Sequence, residues 1–214
     1  MKTILFSDVH GNLPALEKML EATQDADNYI CLGDIVNYGP WSNECVELTH
    51  SIKNCIVLQG NHELYFLENK YEGSNEVALA FFSHCIKTFH SHHLIKNLPI
   101  SYLFHDFICI HTLFNKNIYP DTPLVLDNNY IIGHSHHQFY REISPFKVYN
   151  TGSVGQNRKY INIINYIEVI ESNQNLCFNL CMMPYDINKV INEMISRNYP
   201  TICLNYYRDK QILK

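Results

Sequence analysis

Apolar and polar positions follow two distinct periods along this chain. Short runs of β-forming apolar residues recur as Ile4-Leu5-Phe6, Tyr29-Ile30-Cys31-Leu32, Cys55-Ile56-Val57-Leu58, Phe107-Ile108-Cys109-Ile110 and Tyr130-Ile131-Ile132. Their length and composition predict buried strands. Between the early runs the apolar residues fall at helical spacing. Leu13, Leu16, Met19 and Leu20 share one face after Asn12, a suitable N-cap, with Pro14 in the first turn. Val46, Leu48, Thr49 and Ile52 predict a helix over residues 43–52, and Val77, Phe81, Cys85 and Phe89 form a stripe over 76–89. Residues 64–98 read as helical and irregular, with a loop tip over 70–75, and Pro99 breaks the pattern. Residues 113–128 read as a loop with one helical turn. Alternation over 160–170 and 175–183 predicts a hairpin, and Asp186 caps a last helix through Arg197 that Pro200 closes. No linker, repeat or low-complexity tract divides the chain, so residues 1–214 read as one α/β domain.

The ends of the predicted strands carry the chemistry. The first stops at Asp8-Val9-His10-Gly11-Asn12, the second at Gly33-Asp34, and the third at Gly60-Asn61-His62-Glu63. Two later strands stop at His111 and at Gly133-His134-Ser135-His136-His137. One such end is ordinary turn chemistry, with Asp or Asn bonding nearby backbone. Several in succession are hard to attribute to turns, because loops at strand ends in open α/β sheets aim polar groups into a common crevice. Collected, Asp8, His10, Asp34, Asn61, His62, His111, His134 and His136 supply oxygen and imidazole donors for two divalent ions. Two such ions, about 3.5–4 Å apart, can share a carboxylate and a hydroxide and clamp a phosphoryl group. Asp34 is the natural bridge.

Composition narrows the rest. A hydrophobic content of 46% with 17% charged residues fits a globular chain, and a net charge of −5 without a Lys/Arg run argues against duplex nucleic acid and anionic membrane as partners. No apolar stretch approaches membrane-spanning length, and the run after Lys2 is too short for a signal peptide, so a cytoplasmic protein is expected. The eight cysteines lack a Cys-x-x-Cys pair and read as reduced packing residues, Cys177 and Cys181 included.

In order, Asp8-x-His10-Gly11-Asn12, Gly33-Asp34-(x)4-Gly39, Gly60-Asn61-His62-Glu63, His111 and Gly133-His134-x-His136 resemble the signature of the calcineurin-like metallophosphoesterases, small prokaryotic branch. Asn150-Thr151-Gly152-Ser153-Val154-Gly155-Gln156 and Pro184-Tyr185-Asp186 extend the likeness nearly end to end. The resemblance implies a four-layer α/β/β/α sandwich of two mixed sheets flanked by helices, with the ions where the sheets meet. It implies that Asp8, His10 and His136 hold one ion, that Asn61, His111 and His134 hold the other, and that Asp34 lies between them. His62 resembles the family's general acid, and attack by a metal-bridging hydroxide is the implied reaction. The ions would be manganese first, with iron, zinc, cobalt or nickel as alternatives. The substrate would be a small phosphate ester or nucleotide-like molecule, a phosphodiester favoured over a monoester. Asn37-Tyr38 stand where the protein phosphatases of the superfamily carry Asp-Arg, which counts against a phosphoprotein substrate. Thr112 follows His111 where small relatives usually have glycine. The alternative function is a non-catalytic metal-binding scaffold of the same fold.

Two residue sets need context. His90-Ser91-His92-His93 repeats the tetrapeptide of His134-Ser135-His136-His137, but follows an amphipathic helix and Phe89 instead of a strand and Gly133. The first copy reads as a polar helix end, the second as a ligand pair. Arg158 could contact an anionic substrate or be an ordinary solvated arginine, and Trp41 reads as packing or substrate lip.

Overall fold

The computed structural model describes residues 1–173 and 175–213. β1 (Lys2–Phe6) buries Ile4, Leu5 and Phe6, and the Asn12 side chain accepts a hydrogen bond from the Ala15 amide to cap α1 (Leu13–Ala22). β2 (Asn28–Cys31), α2 (Ser42–Ser51) and β3 (Cys55–Val57) repeat the unit, with β1, β2 and β3 parallel. α3 (Asn61–Glu68), α4 (Glu76–Cys85) with a following 3-10 turn, and the short α5 (His92–Ile95) come next. A second run of strands comprises β4 (Ser101–Phe104), β5 (Phe107–Ile110), β6 (Asn129–Ile132), β7 (Phe139–Ile143) and β8 (Phe146–Asn150). The hairpin of β9 (Ile163–Ser172) and β10 (Asn175–Pro184) precedes α6 (Ile187–Ser196) and α7 (Thr201–Arg208).

The strands form two mixed five-stranded sheets, ordered β10-β9-β1-β2-β3 and β4-β5-β6-β8-β7. Alternation along β1 divides the core. Ile4 and Phe6 face the helices together with Met19, Phe66, Phe81 and Met194. Leu5 faces the other way, with Ile30, Leu32, Cys109, Ile131 and Ile167 between the sheets. A register slip of one residue would exchange these faces, so burial on both sides fixes the pairing Leu5↔Ile30. The outer face of the second sheet packs Tyr130, Ile132 and Val148 under Leu113, Ile118 and Leu126. That cover comes from the turn-rich segment after His111.

Several expectations change in detail. Asn61 opens a helix instead of ending a strand loop, and the helix over 76–89 stops at Cys85. Segment 113–128 forms turns without a helical turn. Pro200 starts α7 instead of ending the chain's last helix, because its fixed φ suits a helix entry as well as an exit. Cys177 is exposed, since β10 is an edge strand whose outer positions have nothing to pack on. Among the described residues no helix is long and apolar enough to cross a membrane.

Candidate metal centre

Within each sheet the strands that carry the candidate residues run parallel, so their carboxyl ends gather at one rim. β1 delivers Asp8 and His10, β2 delivers Asp34, and β3 runs into α3 at Asn61 and His62. β5 and β6 deliver His111, His134 and His136. The turns there are unusual. Asp8, His10, Asp34, His134 and His136 all adopt left-handed backbone, with φ of 56°, 51°, 55°, 68° and 59°. Each such conformation costs about 1 kcal/mol for a non-glycine residue. Five together rival a fair share of a domain's net stability of about 5–15 kcal/mol, so they persist only where neighbours over-determine them. Here the Asp8 amide donates to Gly33 O (3.0 Å), the His10 amide to Asp34 O (3.0 Å) and the Gly155 amide to Asp8 O (3.0 Å).

The side chains are aimed by bonds on their outer edges. His10, His111 and His136 each direct Nδ1 at a backbone carbonyl, of Val36 (3.1 Å), Leu32 (2.9 Å) and Gln156 (2.8 Å). A carbonyl only accepts, so each Nδ1 carries a proton and each Nε2 is the nitrogen turned to the site. Asp8 Oδ2 accepts from the Ser7 hydroxyl and the His134 amide (3.0 Å). Asp8 Oδ1 has no hydrogen-bond partner and sits 3.1 Å from His136 Nε2 and 3.6 Å from His10 Nε2. The His10 and His136 Nε2 atoms are themselves 3.2 Å apart. Asp34 Oδ1 accepts from the His62 amide (2.8 Å), and Oδ2 lies 3.1 Å from His111 Nε2 and 3.8 Å from His10 Nε2. Asn61 Oδ1 is buried without a partner.

Lone pairs converging at such distances repel unless a cation lies among them. Ligand atoms of Asp8, His10 and His136 fall within 4.8 Å of one another, as do those of Asp34, His111 and His134 and those of His10, Asp34 and His62. The donor chemistry and the orphaned oxygens therefore fit two divalent ions. Burial opposes ionisation of Asp8, yet His136, His10 and His111 outweigh it and hold its carboxyl well below the usual carboxylate range. Burial likewise opposes ionisation of Asp34, and His111 and His62 lower it. Burial, then the Arg158 charge, depresses His136 to about 4, and burial takes His62 to about 3 and lowers His134. His111 goes the other way: burial lowers it, but Asp34 at 3.1 Å raises it to about 9. Ionised carboxylates and mostly neutral imidazoles are the forms metal binding requires.

His62 lies at the edge of this cluster, with Nε2 4.0 Å from Asp34 Oδ2. Asn37 Nδ2 is 3.0 Å from His62 Nδ1, and donation there places the imidazole's own proton on Nε2, facing the centre. The Tyr38 ring packs against both His10 and His62, with centroids 4.8 Å and 5.5 Å away.

Glu63 has no role assigned by the sequence motif, and the structure supplies one. Its buried carboxylate accepts from the amides of Asp34 (2.8 Å), Ile35 (2.7 Å) and Gly60 (2.8 Å), clamping the second strand end to the third. The readable signal was its place three residues into the helix, the capping-box position. Gly60 explains itself by contact, since a Cβ there would lie 2.2 Å from Asp34 Oδ1. Asp8, His10, Asp34, His62, His111, His134 and His136 thus come together in overlapping clusters, and Asn61 adjoins them at the start of α3. Trp41 packs partly buried against the helical core with the Arg197 guanidinium over its ring, and its amide donates to Gly11 O (3.1 Å).

The profile of the calcineurin-like phosphoesterase family matches residues 1–166. The chain is 28% identical to an uncharacterized protein of Methanocaldococcus jannaschii, with 92% of this chain and 93% of that protein covered. A solved metallophosphoesterase from Sphaerobacter thermophilus superposes with a TM-score of 0.76 at 24% identity, over 97% of this chain and 99% of that one. A symmetrical bis(5'-nucleosyl)-tetraphosphatase of Erwinia tasmaniensis is 34% identical over 71 residues, which are 31% of this chain and 26% of that protein.

Proposed function

We propose, from the premise that this chain belongs to the calcineurin-like phosphoesterase family, that it hydrolyses a small, nucleotide-like phosphate ester in a two-ion site. The observation that carries this reading is the set of inward donors. Three imidazoles fix Nδ1 on carbonyls, and Asp8 Oδ1 and Asn61 Oδ1 stand without partners. In this reading Asp8, His10 and His136 hold one ion, Asn61, His111 and His134 the other, and Asp34 is shared. These donors suit manganese, with iron, zinc, cobalt or nickel as substitutes. Bound there, two divalent ions would polarise phosphoryl oxygens and bring the pKa of water to about 7.

The chain's own groups do the rest. Ser7 and the His134 amide hold one Asp8 oxygen still, so the other is pre-aimed. Glu63 fixes the Asp34 turn, and the Tyr38 ring closes one wall and keeps water from the His10 edge. His62 turns Nε2 to the oxygen of the leaving group; as the imidazolium it gives that oxygen its proton and returns to the neutral form that burial favours. A positioned donor helps most when that oxygen belongs to a poor alkoxide, which favours a phosphodiester. The nucleosyl substrate in the name of the Erwinia relative supports a nucleotide-like class. A non-catalytic scaffold would have no use for a buried imidazole turned toward the centre, so hydrolysis is the preferred reading.

The test uses metal-stripped protein with manganese restored, on paired aryl phosphodiester and phosphomonoester substrates. Activity should require metal, vanish in Asp34→Asn and fall about 10²–10⁴-fold in His62→Asn. The diester should turn over faster than the monoester. Two ions bound with no turnover of either substrate would sink the hydrolase reading.

A further inference from the structure

The segment after β8 is fastened to the candidate site. The Val154 amide donates to Ser7 O (3.1 Å), the Ser153 hydroxyl to Asp8 O (2.8 Å), and Gln156 O accepts from His136 Nδ1 (2.8 Å). Two residues on, Arg158 therefore emerges beside the Asp8–His136 end. It is not the solvated arginine that its polar neighbourhood in the sequence allowed. Burial works against its charge, and Tyr206, Tyr38 and Asp8 help retain it. Its guanidinium donates Nη1 to the Tyr206 hydroxyl (2.7 Å), and among the described residues it pairs with no carboxylate. Arg197, by contrast, is paired with Glu44 and Glu193.

A second cation stands on the same post. Lys210 Nζ lies 4.8 Å from the centroid of the Tyr206 ring. Burial and the Arg158 charge both disfavour its ammonium. Tyr206 packs on Tyr38 (5.9 Å between centroids), and Tyr38 packs on His10, so one aromatic row joins the two cations to the site. Like charges brought together in a partly buried place, whose direct contacts among the described residues are one neutral hydroxyl and one ring, are unfavourable without an anion. A guanidinium also offers paired N–H groups that match two oxygens of one phosphate.

We infer that Arg158 and Lys210, both held by Tyr206, form a subsite for a second phosphate, so that the preferred substrate carries at least two. This rests on the two-ion reading for the first phosphate. It names the class: organic diphosphates and polyphosphates, nucleotides among them.

The experiment compares binding of AMP and α,β-methylene-ADP to the metal-loaded, full-length protein by calorimetry, in wild type, Arg158→Gln, Arg158→Lys and Lys210→Gln. Wild type should bind the diphosphate at least about tenfold more tightly than AMP. Arg158→Gln and Lys210→Gln should each lose most of that preference while AMP affinity stays within about twofold, and Arg158→Lys should keep part of it. Lys210→Gln changes a partly exposed side chain just past the end of α7, so it tests the subsite even where Arg158→Gln unfolds. Equal affinity for the two ligands in wild type would overturn the proposal, as would variants that weaken AMP as much as the diphosphate. Aryl ester turnover without diphosphate preference sinks the subsite alone. Diphosphate preference without turnover sinks the hydrolase reading and leaves the subsite standing.

Discussion

The chain carries the same four residues twice, and the two copies do different things. In His90-Ser91-His92-His93 the histidines are exposed at the entry to the short α5, and the buried Ser91 hydroxyl donates to Glu47 (3.0 Å). His92 rests its ring on Phe89. In His134-Ser135-His136-His137 the first and third residues turn into left-handed backbone at the end of β6, and His136 is buried 3.1 Å from Asp8 Oδ1. The difference lies in what precedes and faces each copy. Gly133 lets Asp8 and Ser7 approach within a distance that a side chain would forbid, since a Cβ there would lie 2.5 Å from Ser7 Oγ and 2.8 Å from Asp8 Oδ2. A donor becomes a ligand candidate only when other donors are packed against it.

The largest expected effect separates the copies outright. His136→Ala should lower metal-dependent hydrolysis by more than about a hundredfold, whereas His92→Ala should leave it within about twofold. Gly133→Ala should resemble His136→Ala, measured as metal bound per chain after dialysis. Comparable losses at His92 and His136 would break the comparison.

A smaller effect should appear in the metal-free protein as pH varies. His62 and His136 are held at about 3 and about 4 in the folded chain, below the free value of about 6.5. The unfolded chain then binds more protons, so stability falls as pH drops below about 6.5. Asp8 and Asp34, held low, add their loss in more acid solution. His111, raised to about 9, contributes stability that is fully present below about 6.5 and is lost as pH rises through 9. Urea unfolding should therefore show a maximum near neutrality with a decline on both sides. A monotonic rise to pH 9 would remove His111 from this account.

The smallest effect is where the copies should agree. Ser91→Ala removes the bond to Glu47, and Ser135→Ala removes the acceptor of Asn150 Nδ2 (3.1 Å). Each should cost about 1 kcal/mol in chemical denaturation. A much larger loss at Ser135 alone would show that the hydroxyl also shapes the candidate metal centre.

Much of the candidate centre was legible because its candidate donors cluster at strand ends, where apolar runs stop on Asp, Asn or His beside glycine. Asp8, His10, Asp34, Asn61, His62, His111, His134 and His136 all announce themselves in that way. Glu63 was half-legible, visible as a capping-box residue but not as the clamp on the Asp34 turn. α7 and the Lys210 that follows it were not legible, because Pro200 marks a helix boundary without saying which side the helix is on, whereas Arg158 is legible as one of two alternatives, an anion contact or a solvated arginine.

By itself the sequence determined the local elements, the identity of the donors and the strand ends that carry them, because hydrophobic period and turn chemistry act over a few residues. Tertiary structure alone decided how close His136 comes to Asp8, which nitrogen of each imidazole is turned to the site, and that Arg158 and Lys210 share Tyr206. Those outcomes depend on distances between residues about 50–150 positions apart, such as the reach from Gln156 to Tyr207 or from Asp8 to His136. Such distances are set by the packing of two sheets and the helices upon them, and no local pattern encodes them.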